Sequence, residues 1–303
     1  MITILIPVYN RVSELNNLLN SFVDEYNSFK IEFEVVVIDD ESNDGSYEIA
    51  ESFSNKYDFI KLVTSGYKSP GMSRNIGARV AKYDWLFFCD SDNLMISEWS
   101  LILSNIIPRF SDFEGIWFPA RCNGLVLTSS KYLNRGNHQI ESFFYFNNYI
   151  GEVVHCVKRQ FLIKNNYFYL KGTTNDFPDL LWFSLFSDKQ YKVVFINLVI
   201  QEYFMNSSNR ISTDSSIEKN YSQIIHYKLV LKKLIKTKYI FSLYFPKILF
   251  KLIFFIFVVD DRVISLKSQI GPFRLISRIS FRIGIGALLL KKLNLKRNEN
   301  AIY

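Results

Sequence analysis

The first ninety residues switch back and forth between two hydrophobic periods, and that alternation limits the folds open to the chain. Ile2–Val8 is a short apolar run containing Pro7 and reads as a buried strand. Leu15, Leu18, Leu19 and Phe22 follow at helical spacing, with Ser13 as the expected cap. Phe33–Ile38, Ile60–Val63 and Trp85–Cys89 read as further strands. Ser46–Phe53 and Met72–Val80 read as the helices between them, the second with Ile76 and Val80 on one side. Strand, helix, strand at this spacing predicts an α/β fold with a parallel sheet wound by right-handed crossovers. Ligands in such sheets sit beyond the carboxyl ends of the strands. Two acidic clusters fall there: Asp39-Asp40-Glu41 after the second strand and Asp90-Ser91-Asp92 after the fourth.

Each cluster has a chemistry to offer. Asp90 and Asp92, one residue apart on a turn, can hold a hard divalent cation that also takes phosphate oxygens, which suits Mg²⁺ or Mn²⁺. Such an ion neutralises charge on a departing diphosphate. The plain alternative is a solvated turn. Carboxylates at Asp39 and Asp40 can accept hydrogen bonds from a base N–H or a sugar hydroxyl; Asp44-Gly45 reads as turn chemistry. Arg74-Asn75, near the start of the third helix, can meet phosphate, helped by helix N-terminal amides.

Charge is unevenly placed. The net +7 conceals 17 Lys and Arg against four carboxylates in residues 216–303, leaving 1–215 net acidic. Tyr239–Val259 is nearly all apolar, but Pro246, Lys247 and Lys251 interrupt it. Its longest uncharged stretch is far short of the ~20 residues of a spanning helix. Arg274, Arg278 and Arg282 recur every four residues among Leu275, Ile276, Ile279 and Ile283, a basic amphipathic pattern suited to anionic lipid. The expectation is a helix lying in the membrane interface; the plainer reading is core helices with a solvated edge. Apolar density fits lipid better than nucleic acid. Aromatics at 17% point to an apolar surface as well. Cys89, Cys122 and Cys156 are widely spaced, which argues against a zinc site or a disulfide scaffold and fits a reducing cytosol. No basic leader precedes Ile2, so a signal peptide is not expected.

Four motifs in order give a resemblance. They are Ile4-Leu5-Ile6-Pro7-Val8-Tyr9-Asn10-Arg11, Val37-Ile38-Asp39-Asp40-Glu41-Ser42-Asn43-Asp44-Gly45-Ser46, Gly71-Met72-Ser73-Arg74-Asn75-Ile76-Gly77 and Phe87-Phe88-Cys89-Asp90-Ser91-Asp92-Asn93. Together they resemble the nucleotide-binding half of the family 2 glycosyltransferases, of the GT-A (Rossmann-like) fold. The resemblance implies that Pro7, Val8, Tyr9, Asn10 and Arg11 line the nucleoside pocket and that Asp40, with Asp39 beside it, contacts the base. Arg74, Asn75 and Ser91 would complete the nucleotide-sugar site, Asp90 lying near the ribose and Asp92 ligating the metal with it. It further implies inversion at the anomeric carbon, with an acceptor hydroxyl attacking in line while a carboxylate takes its proton.

That base is expected in the second half, where Pro178-Asp179-Leu180-Leu181-Trp182, followed by Tyr191–Ile196, is similar to the family's Glu-Asp pair and its following helix and strand. Asp179 is the nominated base and Asp176 the alternative; helix capping is the plain reading of either. Pro178 departs from the pair. So does the lack of a histidine in Glu202–Ser212, where Asn206 or Ser207 stands near the position of a metal-ligating His in many members. Lys82-Tyr83-Asp84 likewise replaces the family's Gly before the fourth strand. His138, His155 and His226 are scattered and taken as non-catalytic. No Gln-x-x-Arg-Trp motif occurs, so transfer of a single sugar is expected rather than polymerisation.

The expected organisation is a GT-A domain over 1–215, with a nucleotide half 1–95 and an acceptor half 96–215, and a helical membrane-associating tail over 216–303. The expected partners are a nucleotide-diphosphate sugar, a glycan or polyprenyl-diphosphate-linked acceptor and an anionic membrane surface, with no nucleic acid. The expected place is the cytoplasmic face of the cell inner membrane. The rivals are a non-catalytic GT-A-fold binding protein and a sugar nucleotidyltransferase. The latter usually has a Gly-rich phosphate loop after the first strand, which Pro7-Val8-Tyr9-Asn10 is not.

Overall fold

The structure, a computed structural model, describes residues 1–148, 150–165, 191–203 and 244–258, together with Tyr227, Val230, Leu231 and Ile235. The nucleotide half runs β1 (Ile2–Val8), α1 (Val12–Phe29), β2 (Glu34–Asp39), α2 (Ser46–Lys56), β3 (Ile60–Thr64), α3 (Pro70–Val80) and β4 (Trp85–Phe88). β1, β2, β3 and β4 are parallel neighbours in the order β3-β2-β1-β4. The expected alternation is present throughout, with element ends shifted by one to three residues.

The second half adds β5 (Asn93–Met95), α4 (Trp99–Ile106), β6 (Gly115–Pro119), β7 (Arg121–Cys122), β8 (Leu125–Val126), α5 (Ser130–Leu133), β9 (His138–Gln139) and α6 (Ser142–Asn147). It continues through β10 (Val153–Lys158), α7 (Arg159–Asn165), β11 (Val193–Phe195) and β12 (Gln201–Tyr203). β10 enters the main sheet between β4 and β6 and runs antiparallel to both, giving the order β3-β2-β1-β4-β10-β6-β11-β9. β5, β12, β7 and β8 form a second, four-stranded sheet in that order.

Alternate residues of the main sheet feed two cores. Ile4, Val37, Phe87 and Phe118 pack on one face with Leu15, Leu18, Leu19 and Phe22 of α1 and Trp99 of α4. Leu5, Ile38, Phe88, Trp117 and Phe195 pack on the other with α3 and α7. Gly77 lets α3 approach closely, since a Cβ there would lie 2.9 Å from both Ile38 Cδ1 and Leu5 Cδ2.

The apolar run at 239–259 contains α8 (Tyr244–Val258). Ile248 and Leu252 are buried in the second core with Tyr227, Val230 and Leu231, as the core-helix reading expects of that face. No helix among the described residues is long and apolar enough to cross a membrane. Arg274, Arg278 and Arg282 lie outside the described residues.

Candidate functional site

Two loops at the carboxyl end of the sheet brace one another. Asn10 N donates to Ser42 Oγ at 3.0 Å, Arg11 N to Ser46 Oγ at 2.9 Å and Asn43 N to Asn10 Oδ1 at 2.8 Å. Asn10 has φ 52°, in the left-handed region that asparagine tolerates. Val12 N, at the start of α1, donates to Asp44 Oδ2 at 3.0 Å. The cap expected at Ser13 is therefore Asp44, contributed from 32 residues downstream, and helix α1 begins two residues earlier, with Arg11 in the cap position. Burial opposes ionisation of Asp44, but hydrogen bonds from the Ser46 hydroxyl and from the Val12 and Ser46 amides outweigh it and hold the carboxyl below its ordinary range.

The adjacent carboxylates at the end of β2 are spent differently. Asp40 accepts from Ser65 Oγ at 2.9 Å, Tyr67 N at 2.8 Å, Lys68 N at 2.9 Å and Ser69 N at 2.7 Å. Ser69 caps α3, so Asp40 fixes the start of the helix that carries Arg74. Asp39 Oδ2 accepts from Ser42 N at 3.1 Å, while its Oδ1 is buried with no hydrogen-bond partner. A buried acceptor left open needs an explanation, and a ligand supplies one.

Arg74, buried on α3, reaches the end of β4. Its Nη2 lies 2.5 Å from Asp90 Oδ1, and its guanidinium lies 5.6 Å from the Phe88 ring centroid. Asp90, Ser91 and Asp92 make a turn closed by Asn93 N donating to Asp90 O at 3.1 Å. The turn leads directly into β5. Asn75 is buried beside Arg74 with Nδ2 unpartnered. No group of three or more His, Cys, Asp or Glu gathers as a metal cage among the described residues. Asp90 and Asp92 are the oxygen ligands on offer, and paired carboxylates suit a hard cation that completes its shell from phosphate and water.

Pro7, Val8, Tyr9, Asn10, Arg11, Asp39, Asp40, Asp90, Ser91 and Asp92 thus fall at the ends of three neighbouring strands, β2, β1 and β4, and Arg74 and Asn75 fall in the first half of α3. Tyr9 is half exposed at the end of β1. Asp176, Pro178, Asp179, Asn206 and Ser207 lie outside the described residues. The sequence reading set aside His155, yet the structure places it on β10, 6.5 Å from Phe88 and 5.4 Å from Trp117 between ring centroids. Its strand lay unrecognised in an apolar run too short to show a period. Burial pushes the Cys89 thiol, next to Asp90, well above its ordinary range, so Cys89 is an inert part of the core.

Comparison with known proteins fits this geometry. An uncharacterized glycosyltransferase of Haemophilus influenzae is 33% identical over 122 residues, which is 40% of this chain and 40% of that protein. The poly(ribitol-phosphate) beta-N-acetylglucosaminyltransferase TarS of Staphylococcus aureus is 33% identical over 97 residues, 32% of this chain and 17% of that one. The matches therefore span well under two thirds of those relatives. The crystal structure of S. aureus TarS 1–349 in complex with UDP-GlcNAc superimposes with TM-score 0.57 at 20% identity, covering 93% of this chain and 92% of that one. The mannosyltransferase PcManGT from Pyrobaculum calidifontis, in complex with GDP-Man and Mn²⁺, gives TM-score 0.53 at 12% identity over 94% and 80%. These likenesses carry the GT-A fold. The sequence profile described as Glycosyl transferase family 2 matches residues 3–156, half of the chain, including the four motifs between Ile4 and Asn93, and the chain belongs to that family.

Proposed function

We propose that the chain transfers a single sugar, with inversion, from a nucleotide-diphosphate sugar to a hydroxyl of a glycan or lipid-linked glycan in cell-surface polysaccharide biosynthesis. The observation that carries this reading is the ion pair of Asp90 with the Arg74 cation at the end of β4, with Asp92 two residues on and the open acceptor Asp39 Oδ1 at the end of β2 in the same sheet. A UDP-sugar is the favoured donor, in keeping with the TarS complex.

The residues divide the work. Asp39 Oδ1 accepts an N–H of the base, and Asp40 holds the loop that starts α3. Arg74 holds Asp90 and presents a cation towards the diphosphate. Asp90 and Asp92 would hold Mg²⁺ or Mn²⁺, which when bound neutralises charge on the leaving diphosphate. The acceptor oxygen bonds to the anomeric carbon as the bond to diphosphate breaks, and its proton passes to Asp179 or Asp176. The basic, apolar segment 216–303 would keep the enzyme on the cytoplasmic face of the membrane, near a polyprenyl-diphosphate-linked acceptor.

The test is nucleotide release from a panel of UDP- and GDP-sugars with Mn²⁺ or Mg²⁺, in wild type, Asp92→Ala and Asp179→Asn. Release from one donor that disappears in Asp92→Ala is expected. Retention of the full rate with acceptor present in Asp179→Asn moves the base to Asp176. Absence of both release and nucleotide binding overturns the proposal. Flotation with anionic liposomes, comparing the full chain with residues 1–215, tests the tail; equal binding overturns its role.

A further inference from the structure

The hairpin β7–β8 ends in an unusual surface. Leu125, Val126 and Leu127 are 65%, 42% and 39% exposed. In a half-buried strand only alternate residues face water. Here three consecutive apolar residues do, so the tip stands clear of the body on both faces.

The tip is held there. Asn123 and Gly124 have φ 46° and 81°, the two left-handed residues of a tight Asn-Gly turn. Glu202 of β12 accepts from Gly124 N and pairs with Arg121 at 2.9 Å. Leu127 N donates to Ala120 O at 2.9 Å, and Thr128 is bridged to Gly151. Exposure of the three side chains is therefore built into the backbone, at a cost in stability that a purely structural loop has no reason to bear.

The charge around it leans positive, with Glu202 and Glu152 set against three basic residues on one stretch of chain. Residues 120–136 contain Arg121, Lys131 and Arg135 and no carboxylate. With Arg121 matched by Glu202, Lys131 and Arg135 remain against Glu152. Apolar side chains backed by cations suit an anionic lipid surface. A second copy of the chain fits poorly. Three side chains offer on the order of 250 Å², against roughly 800 Å² per partner in a stable protein interface.

We infer that the tip Leu125–Leu127 inserts into the headgroup layer of an anionic bilayer, as a second membrane contact beside the active site. The second sheet links it through β7 and β12 to β5, which leaves the Asp90–Asp92 turn. Three strand spacings, roughly 14 Å, separate β5 from β8. The hairpin thereby sets the height of the acidic turn above the lipid, which a tail alone does not do. The inference rests on the membrane-associated reading above, but its site is distinct from residues 216–303.

The test uses the full chain with Leu125→Cys, or Val126→Cys should the first fail to fold, labelled with the dye NBD; the three native cysteines are buried. The probes are phosphatidylglycerol/phosphatidylcholine vesicles, with and without brominated acyl chains. A blue shift on binding, quenching by bromolipid, and at least tenfold weaker binding of Leu125→Ser/Val126→Ser/Leu127→Ser are expected. Vesicle-bound protein whose dye still reports water overturns the hairpin inference and leaves the tail intact. Protein that binds no vesicles overturns both. A shift that grows with protein concentration in the absence of vesicles assigns the tip to a second copy and overturns the inference.

Discussion

Arg74 Nη2 meets Asp90 Oδ1 at 2.5 Å, yet the two side chains live in different surroundings, 10% and 57% exposed respectively. The cation belongs to the core and the anion to the cleft. Water around Asp90 screens the pair, which therefore contributes little to stability, about 0–1 kcal/mol, and its role is positional. Asp90→Asn is expected to lower donor turnover by about 100-fold or more while shifting the melting temperature only slightly. A thermal melt alongside nucleotide-release kinetics checks both.

Asp39 and Asp40 are adjacent but should fail in opposite ways. Asp40→Ala strands three amides and a hydroxyl at the start of α3, and is expected to cost about 2–4 kcal/mol of stability. Asp39→Asn keeps an acceptor for Ser42 N, removes the charge facing the ligand, and is expected to weaken nucleotide binding about tenfold with little loss of stability. Denaturant unfolding and nucleotide titration, run on both variants, separate the two roles.

Asp44 gives a pH signature. Its folded carboxyl titrates below its unfolded value, so the folded state binds fewer protons in that range. The contribution is complete above the unfolded value, about 3.9, and is lost as pH falls through the lower folded one. The melting temperatures of wild type and Asp44→Asn should differ most near neutrality and converge below about pH 4. A gap that widens on acidification contradicts the capping role.

Gly151 holds the loop behind the hairpin. Its φ is 79°, and a Cβ there would lie 2.3 Å from Leu127 O and 3.1 Å from Ser129 N, both backbone. Gly151→Ala is expected to cost more than about 3 kcal/mol or to prevent folding. Gly77→Ala, which meets side-chain atoms of Ile38 and Leu5, should cost about 1–3 kcal/mol. Chemical denaturation ranks the two.

The nucleotide half was legible because β1, β2 and β4 are buried and each strand is close to the next and ended by a polar turn. The cap on α1 was not, since Asp44 arrives from another loop and local spacing pointed to Ser13. The sequence reading also gave the base contact to Asp40, whose carboxylate is taken up by the loop that starts α3, while the open acceptor is on Asp39. Neighbours on a strand face opposite sides, and which side holds the α3 loop depends on the β2–β3 pairing. β10 escaped notice because His155 and Cys156 interrupt its valines and because its partners lie far off in sequence. Strands of two or three residues, such as β7, β8 and β9, leave no period to read.

The position of β10 also has a consequence for how such enzymes diversify. Trp85, Leu86 and Phe87 of β4 are hydrogen-bonded on one side to β1 and on the other to Lys158, Val157 and Cys156. A donor-binding module cut after residue 95 would end on a naked edge, ready to pair with any passing strand. New acceptor preferences on this scaffold are therefore expected to arise from changes in the loops strung between β4 and β10. Recombination that swaps whole halves is disfavoured, because every viable graft must bring along its own copy of the strand that seals the seam.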